Sequence, residues 1–211
     1  KVDLLVAAVF QGEQAPPKGL ETVDPAAFEV AKKAIQKKRF SGKEGEQFAS
    51  YDGSIERASE LLLVGLGKKD KWSREKLRKR TAGVLGYGKC QNAKTIHLLA
   101  ETFSSGPIRL DDTAEIIPET LDRADYRFDK YLSPKKDEPK REIDSIELLY
   151  SKKANQNSLV TALGRGRVIA EAVNFTRQLI NEPANVMPPR ELAAYARKVA
   201  REGKLRCQIL G

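Results

Sequence analysis

The sequence has 211 residues, 40% of them hydrophobic and 32% charged, with a mean hydropathy of −0.50. Those values fit a soluble globular chain and exclude a collagen, a polar disordered tail and a membrane-embedded bundle. Lys and Arg number 38 against 29 Asp and Glu, giving a net charge of +9 and a pI near 9.5, a balance that suits an anionic partner but does not bear on fold.

The scarce residues exclude further chemistry. His97 is the single histidine, so a Ser-His-Asp site would have to use it, and zinc sites built on paired histidines are impossible. Cys90 and Cys207 lie far apart in a chain large enough to bury a core. They read as reduced, buried thiols of a cytoplasmic protein and not as a disulfide framework. Any metal site would have to be made of carboxylates. The chain begins with Lys1 and not Met, which is expected of a sequence trimmed from a longer one.

Val2 to Phe10 is a short apolar run of β type, too short for a membrane span and without the basic flank or small-residue cleavage site of a signal peptide, and is ended by the polar, Pro-rich stretch Gln11 to Lys18. Asp24 followed by Pro25 predicts a helix start, with Phe28, Ala31 and Ile35 as its apolar stripe. Glu46 to Tyr51 is a strand candidate. Leu61 to Leu66, bracketed by Gly65 and Gly67, predicts a strand buried on both faces.

Ser73 caps the next predicted helix, which places Leu77, Val84 and Leu85 inward. Thr95 to Ala100 is a further buried strand. Ala114 to Tyr126 is helical in pattern but is expected to restart at Pro118. Ile143 to Tyr150 is the last strand of this part. Helices alternating with buried strands predict an α/β domain, a mixed sheet flanked by helices, over about 1–150.

Ser151 to Asn157 is polar and reads as a linker. Ser158 is expected to cap a long helix with the stripe Leu159, Leu163, Ile169, Val173, Thr176 and Ile180. A second helix follows Pro188-Pro189, is expected to bury Leu192, Ala196 and Val199, and ends at Gly203. Leu205, Cys207 and Ile209 alternate with polar residues as one strand. Two helices and one strand cannot bury a core alone, so 151–211 is expected to open an incomplete second α/β unit.

The stretch from Asn174 to Leu192 contains Arg177, Leu179, Asn181, Pro183, Ala184 and Asn185, the phrase R-x-L-x-N-x-P-A-N. It closely resembles the cytosol (leucyl) aminopeptidase family. Leu61-Leu-Leu-Val-Gly-Leu-Gly-Lys68 and Tyr126-Arg-Phe-Asp-Lys-Tyr131 agree with it, so the resemblance covers nearly the whole chain. It implies a macro-domain-like N-terminal domain, a linker helix and the start of a catalytic domain. The family's members remove N-terminal residues from peptides with two divalent metal ions, manganese or zinc, and assemble as hexamers. The resemblance places the metal-ligand motifs beyond Gly211, so no residue here is assigned a catalytic, metal or cofactor role. The implied role is that of a non-catalytic domain that assists assembly or shapes access to the active site. Its own catalytic domain and further copies of the protein are the implied partners.

A competing reading is a nucleic-acid or ADP-ribose-like nucleotide-binding module. Leu66-Gly67-Lys68-Lys69 runs from a strand to a helix start, where free N–H groups can hold phosphate, though a plain turn is the better reading. Lys32, Lys33, Lys37, Lys38 and Arg39 form one basic cluster and Lys68 to Arg80, which includes Trp72, a second; on a shared face they would attract phosphate backbones. Asp111, Asp112, Glu115, Glu119 and Asp122 are a carboxylate run better read as an acidic helix start than as a metal site. His97, in an apolar strand, reads as structural.

Overall fold

The structure, a computed structural model, describes residues 1–133, 141–151 and 154–210. Lys152 and Lys153 of the expected linker lie outside the described residues. Strand β1 (Val2–Val9) has apolar residues at successive positions because both of its faces are covered. Leu4, Val6 and Ala8 enter one core, and Leu5, Ala7 and Val9 enter the other. It pairs in parallel with β3 (Ala58–Gly65) on one side and β4 (Thr95–Leu99) on the other. Strand β2 (Gln47–Ser50) runs antiparallel along β3, and β5 (Ser145–Leu149) parallel along β4, giving the order β2-β3-β1-β4-β5. This is the mixed α/β sheet that the sequence predicts.

Helices α1 (Lys18–Val23) and α2 (Pro25–Gln36) cover the Leu5 face through Leu20, Ala27, Ala31 and Ala34. Helices α3 (Arg74–Cys90) and α4 (Leu110–Asp125) cover the Leu4 face through Leu77, Val84, Ile116 and Ile117. Helix α1 was not expected; it follows Pro16-Pro17 in what reads as loop and is held by the fully buried Leu20. Pro118 does not restart α4 but lies inside it. Burial of Ile116, Ile117 and Leu121 around it offsets a proline cost of about 3 kcal/mol.

Helix α5 (Gln156–Asn181) is capped by Asn155, whose side chain accepts from the Ser158 N–H, so Ser158 is not the cap. The Ser158 hydroxyl donates instead to Asp111 at the start of α4. The buried stripe of α5 is Ala162, Gly166 and Ala170, not the larger residues expected, of which Ile169 and Ile180 are exposed. Small residues bring α5 close to α4: a Cβ on Gly166 would lie 2.1 Å from the Glu115 carbonyl oxygen. Helix α6 (Pro189–Glu202) buries Ala200, while Leu192 and Val199, expected to be buried, are exposed. Residues 205–209, expected as a strand, pair with no described strand.

Candidate functional site

The carboxyl ends of parallel strands are where open α/β sheets bind ligands, and that crevice is the place to seek a nucleotide. Here its part beyond β1 and β3 is occupied by the chain's own turn 41–46. The Gly67 N–H donates to the Gly42 carbonyl at 2.9 Å, the Gly45 N–H to Gly65 at 3.0 Å, and the Gly65 N–H to Glu46 at 2.7 Å. A Cβ on Gly42 would meet the Phe10 carbonyl at 2.6 Å, so backbone fills the space. The Leu66 N–H is taken by Val9, and the first turn of α3 is closed by Ser73, whose hydroxyl accepts from the Lys76 N–H. The glycine-rich turn thus serves the fold, and the phosphate reading of Leu66 to Lys69 is not favoured.

The two basic clusters lie on opposite faces of the sheet, α2 on one and α3 on the other, so they do not form a single surface. Much of the second cluster is paired. Lys69 meets Glu13 at 2.8 Å, Lys76 meets Glu44 at 2.6 Å and Arg78 meets Glu119 at 3.0 Å, while Arg74 reaches Asp112. Trp72 is buried, its indole N–H donating to the Phe103 carbonyl at 2.9 Å and its ring set edge-on to Phe10. It offers no stacking platform.

The first four members of the acidic run have different partners. Asp111 accepts from Ser158, and Asp112 caps α4 by accepting from the Arg109 N–H at 2.8 Å. Glu115 pairs with Arg165 at 3.0 Å, and the buried Glu119 holds both Arg78 and Arg123. Burial pushes the Asp122 carboxyl up, with Arg167 opposing and Glu171 and Asp125 adding to the rise. Among the described residues no three His, Cys, Asp or Glu side chains group to hold a metal ion. The carboxylates present, already committed to cations and caps, do not fit the two divalent ions that the resemblance implies. His97 faces its register partner Glu147 across β4 and β5, Nε2 to Oε2 at 3.1 Å. Cys90 and Cys207, expected to be buried, are both exposed, one at the end of α3 and one in the extended segment after α6.

The phrases that carry the resemblance meet in space. The Arg177 guanidinium lies 4.2 Å over the Tyr126 ring and donates to the Arg123 carbonyl at 2.8 Å. Glu182 receives Lys130 at 2.8 Å and the Tyr131 hydroxyl at 2.5 Å. Its carboxyl is held below the usual carboxylate range by Lys130 first and Tyr131 second. These contacts clamp the end of α5 onto the chain leaving α4. Beyond the clamp, Phe175, Leu192, Tyr195, Val199 and Leu205 present an apolar surface around a cleft of about 520 Å³. The sequence pattern assigns Leu192 and Val199 to a buried face and Leu205 to a strand; their exposure was not legible from it.

The class defined by this arrangement is a three-layer α/β domain carrying a helical arm with an open apolar face. The profile of the cytosol aminopeptidase family, N-terminal domain, matches residues 6–135. The chain belongs to the cytosol aminopeptidase family. It is 32% identical over 206 residues to a probable cytosol aminopeptidase of Aquifex aeolicus, covering 95% of this chain and 38% of the relative. The probable cytosol aminopeptidase of Syntrophotalea carbinolica is 29% identical over 210 residues, covering 100% of this chain and 42% of the relative. The chain therefore spans about two fifths of the length of these relatives. A tomato leucine aminopeptidase mutant shares the fold with a TM-score of 0.70 at 19% identity, over 96% of this chain and 40% of that one. The bottromycin maturation enzyme BotP gives 0.67 at 20% identity, over 99% and 39%, and its manganese complex is similar to the same extent. No helix among the described residues is long and apolar enough to cross a membrane.

Proposed function

We propose that this chain is the non-catalytic N-terminal part of a longer cytoplasmic, two-metal leucyl aminopeptidase, which removes N-terminal residues from peptides. In this reading 1–150 is the accessory domain, macro-like in fold, and 151–211 links it to a catalytic domain that holds the manganese or zinc ions. Its work is to seat that domain and to assist assembly into a hexamer or to shape access to the active site.

The observation that carries the reading is the exposed apolar face of α5 and α6. Leu192 is 51% exposed and Val199 43% on α6, and Leu205, in the segment that follows, is 65% exposed. A contiguous apolar surface of this kind is ordinarily covered by a partner. Because the face enters neither core of the domain, Leu192→Ser should shift its unfolding free energy by only about 0.5 kcal/mol. The core substitution Leu62→Ala should cost about 2–5 kcal/mol. Urea unfolding of both variants checks this, and equal losses would mean that α6 is folded against the core. Nucleic-acid or nucleotide binding is supported by neither the filled crevice nor the divided basic clusters.

A further inference from the structure

One group of cations remains outside the reading above. Arg78 and Lys79 on α3, Arg123 on α4 and Arg177 on α5 line a single cleft of about 580 Å³, with Glu75 the one carboxylate in its wall. These helices bring together residues that are far apart in sequence.

The arginines are held rather than free. Glu119, 2% exposed, accepts from Arg78 Nη2 at 3.0 Å and from Arg123 Nη1 at 2.6 Å. The Arg78 Nε–H reaches the same carboxylate at 3.4 Å. Arg177 Nη1 is fixed by the Arg123 carbonyl at 2.8 Å and by Asn174 Oδ1 at 3.2 Å, with the Tyr126 ring beneath it. A guanidinium has five N–H donors, and these anchors use only part of each fork. Arg78 Nη1, Arg123 Nη2 and Arg177 Nη2 have no protein partner among the described residues.

Four cations against Glu75 and the single buried Glu119 leave the cleft positive, and Lys79 has no ion pair among the described residues. Guanidiniums fixed by buried anchors lose little entropy when they bind, and their planar forks match tetrahedral oxyanions. A lysine adds a mobile charge at the rim. The Thr120 hydroxyl is spent on the Ile116 carbonyl, so cations carry the recognition.

We propose that this cleft between α3, α4 and α5 is a binding site for the phosphoryl group of a small phosphate-class anion. Bound there, the anion would tie the arm to the domain by joining α5 to α3 and α4.

The test is an NMR titration of the 211-residue chain with pyrophosphate at constant ionic strength, chloride being the displaced ion. Saturable one-to-one shifts confined to the Arg78, Arg123 and Arg177 side chains are expected. Arg177→Gln and the exposed Lys79→Gln should each weaken binding, by about tenfold for the arginine, the worth of one charge-assisted bond. Lys79 supports no fold contact, so its variant stays interpretable if Arg177→Gln melts early. Shifts equal to those from chloride, or affinity unchanged in both variants, would overturn the proposal. A short oligonucleotide is the second arm: binding of it without binding of pyrophosphate would also overturn a small-ligand site.

Discussion

Asp24 shows how one side chain serves two scales of structure. Its Oδ1 accepts from the Ala27 N–H at 3.0 Å as the cap of α2, while Oδ2 accepts from the Glu56 and Arg57 N–H groups at 3.0 and 2.7 Å. The cap is legible in the Asp-Pro pair; the second role is not, because it joins a segment more than 30 residues away in sequence. The side chain is fully buried, so Asp24→Ala should cost about 3 kcal/mol, above the roughly 1 kcal/mol of an ordinary cap. Urea unfolding measures it. Asp3 acts similarly at the same, amino-terminal end of the parallel strands, where it joins β1 to the start of β4. Burial alone would raise its carboxyl, but the Thr95 and Lys94 N–H groups and the Thr95 hydroxyl overcome that, and the net shift is downward. A lowered folded value means that Asp3 contributes stability above the unfolded value of about 3.9 and loses it as pH falls through the folded one. The stability gap between the native chain and Asp3→Asn should therefore be widest near neutrality. It should close below about pH 4 in denaturant titrations run across that range.

At the scale of elements, the longer helices were legible, as was the inner face of α3 at Leu77, Val84 and Leu85, but the inner faces of α5 and α6 were not. In α5 the large apolar residues outnumber the small ones, so periodicity selects Leu159, Ile169, Val173 and Ile180 as the inner stripe. The face that packs on α4 is Ala162, Gly166 and Ala170, because close helix approach needs small residues. The consequence is a sign reversal. Helix propensity alone would make Gly166→Ala stabilising by about 1 kcal/mol. Contact of the new methyl with the Glu115 carbonyl should instead make it destabilising by about 2 kcal/mol, an overpacking effect that thermal unfolding detects. The continuous strands were legible for the opposite reason: β1 and β3 are covered on both faces, so their uninterrupted apolar runs carry the burial directly. Pro118 misled because propensity there is overruled by packing.

For the whole molecule, the α/β sheet and the family were both legible, the first from alternating patterns and the second from the phrases around Arg177 and Tyr126. Why those phrases occur was not legible: Arg177 stacks on Tyr126, and Glu182 gathers Lys130 and Tyr131. They work as a structural clamp between α4 and α5. The net charge of +9 divides in a way that composition hides. Part is neutralised in ion pairs on α3 and α4, part is solvated on α2 across the sheet, and part converges on the cleft beside Glu119. The exposed apolar arm and the committed carboxylates support the proposal that the chemistry lies elsewhere in a longer protein. The most direct measurement is hydrolysis of leucyl-p-nitroanilide by the purified 211-residue chain, with manganese or zinc added. The account predicts no release of nitroaniline above the metal-only blank. Steady turnover that purifies with the chain and is lost on chelation would contradict it.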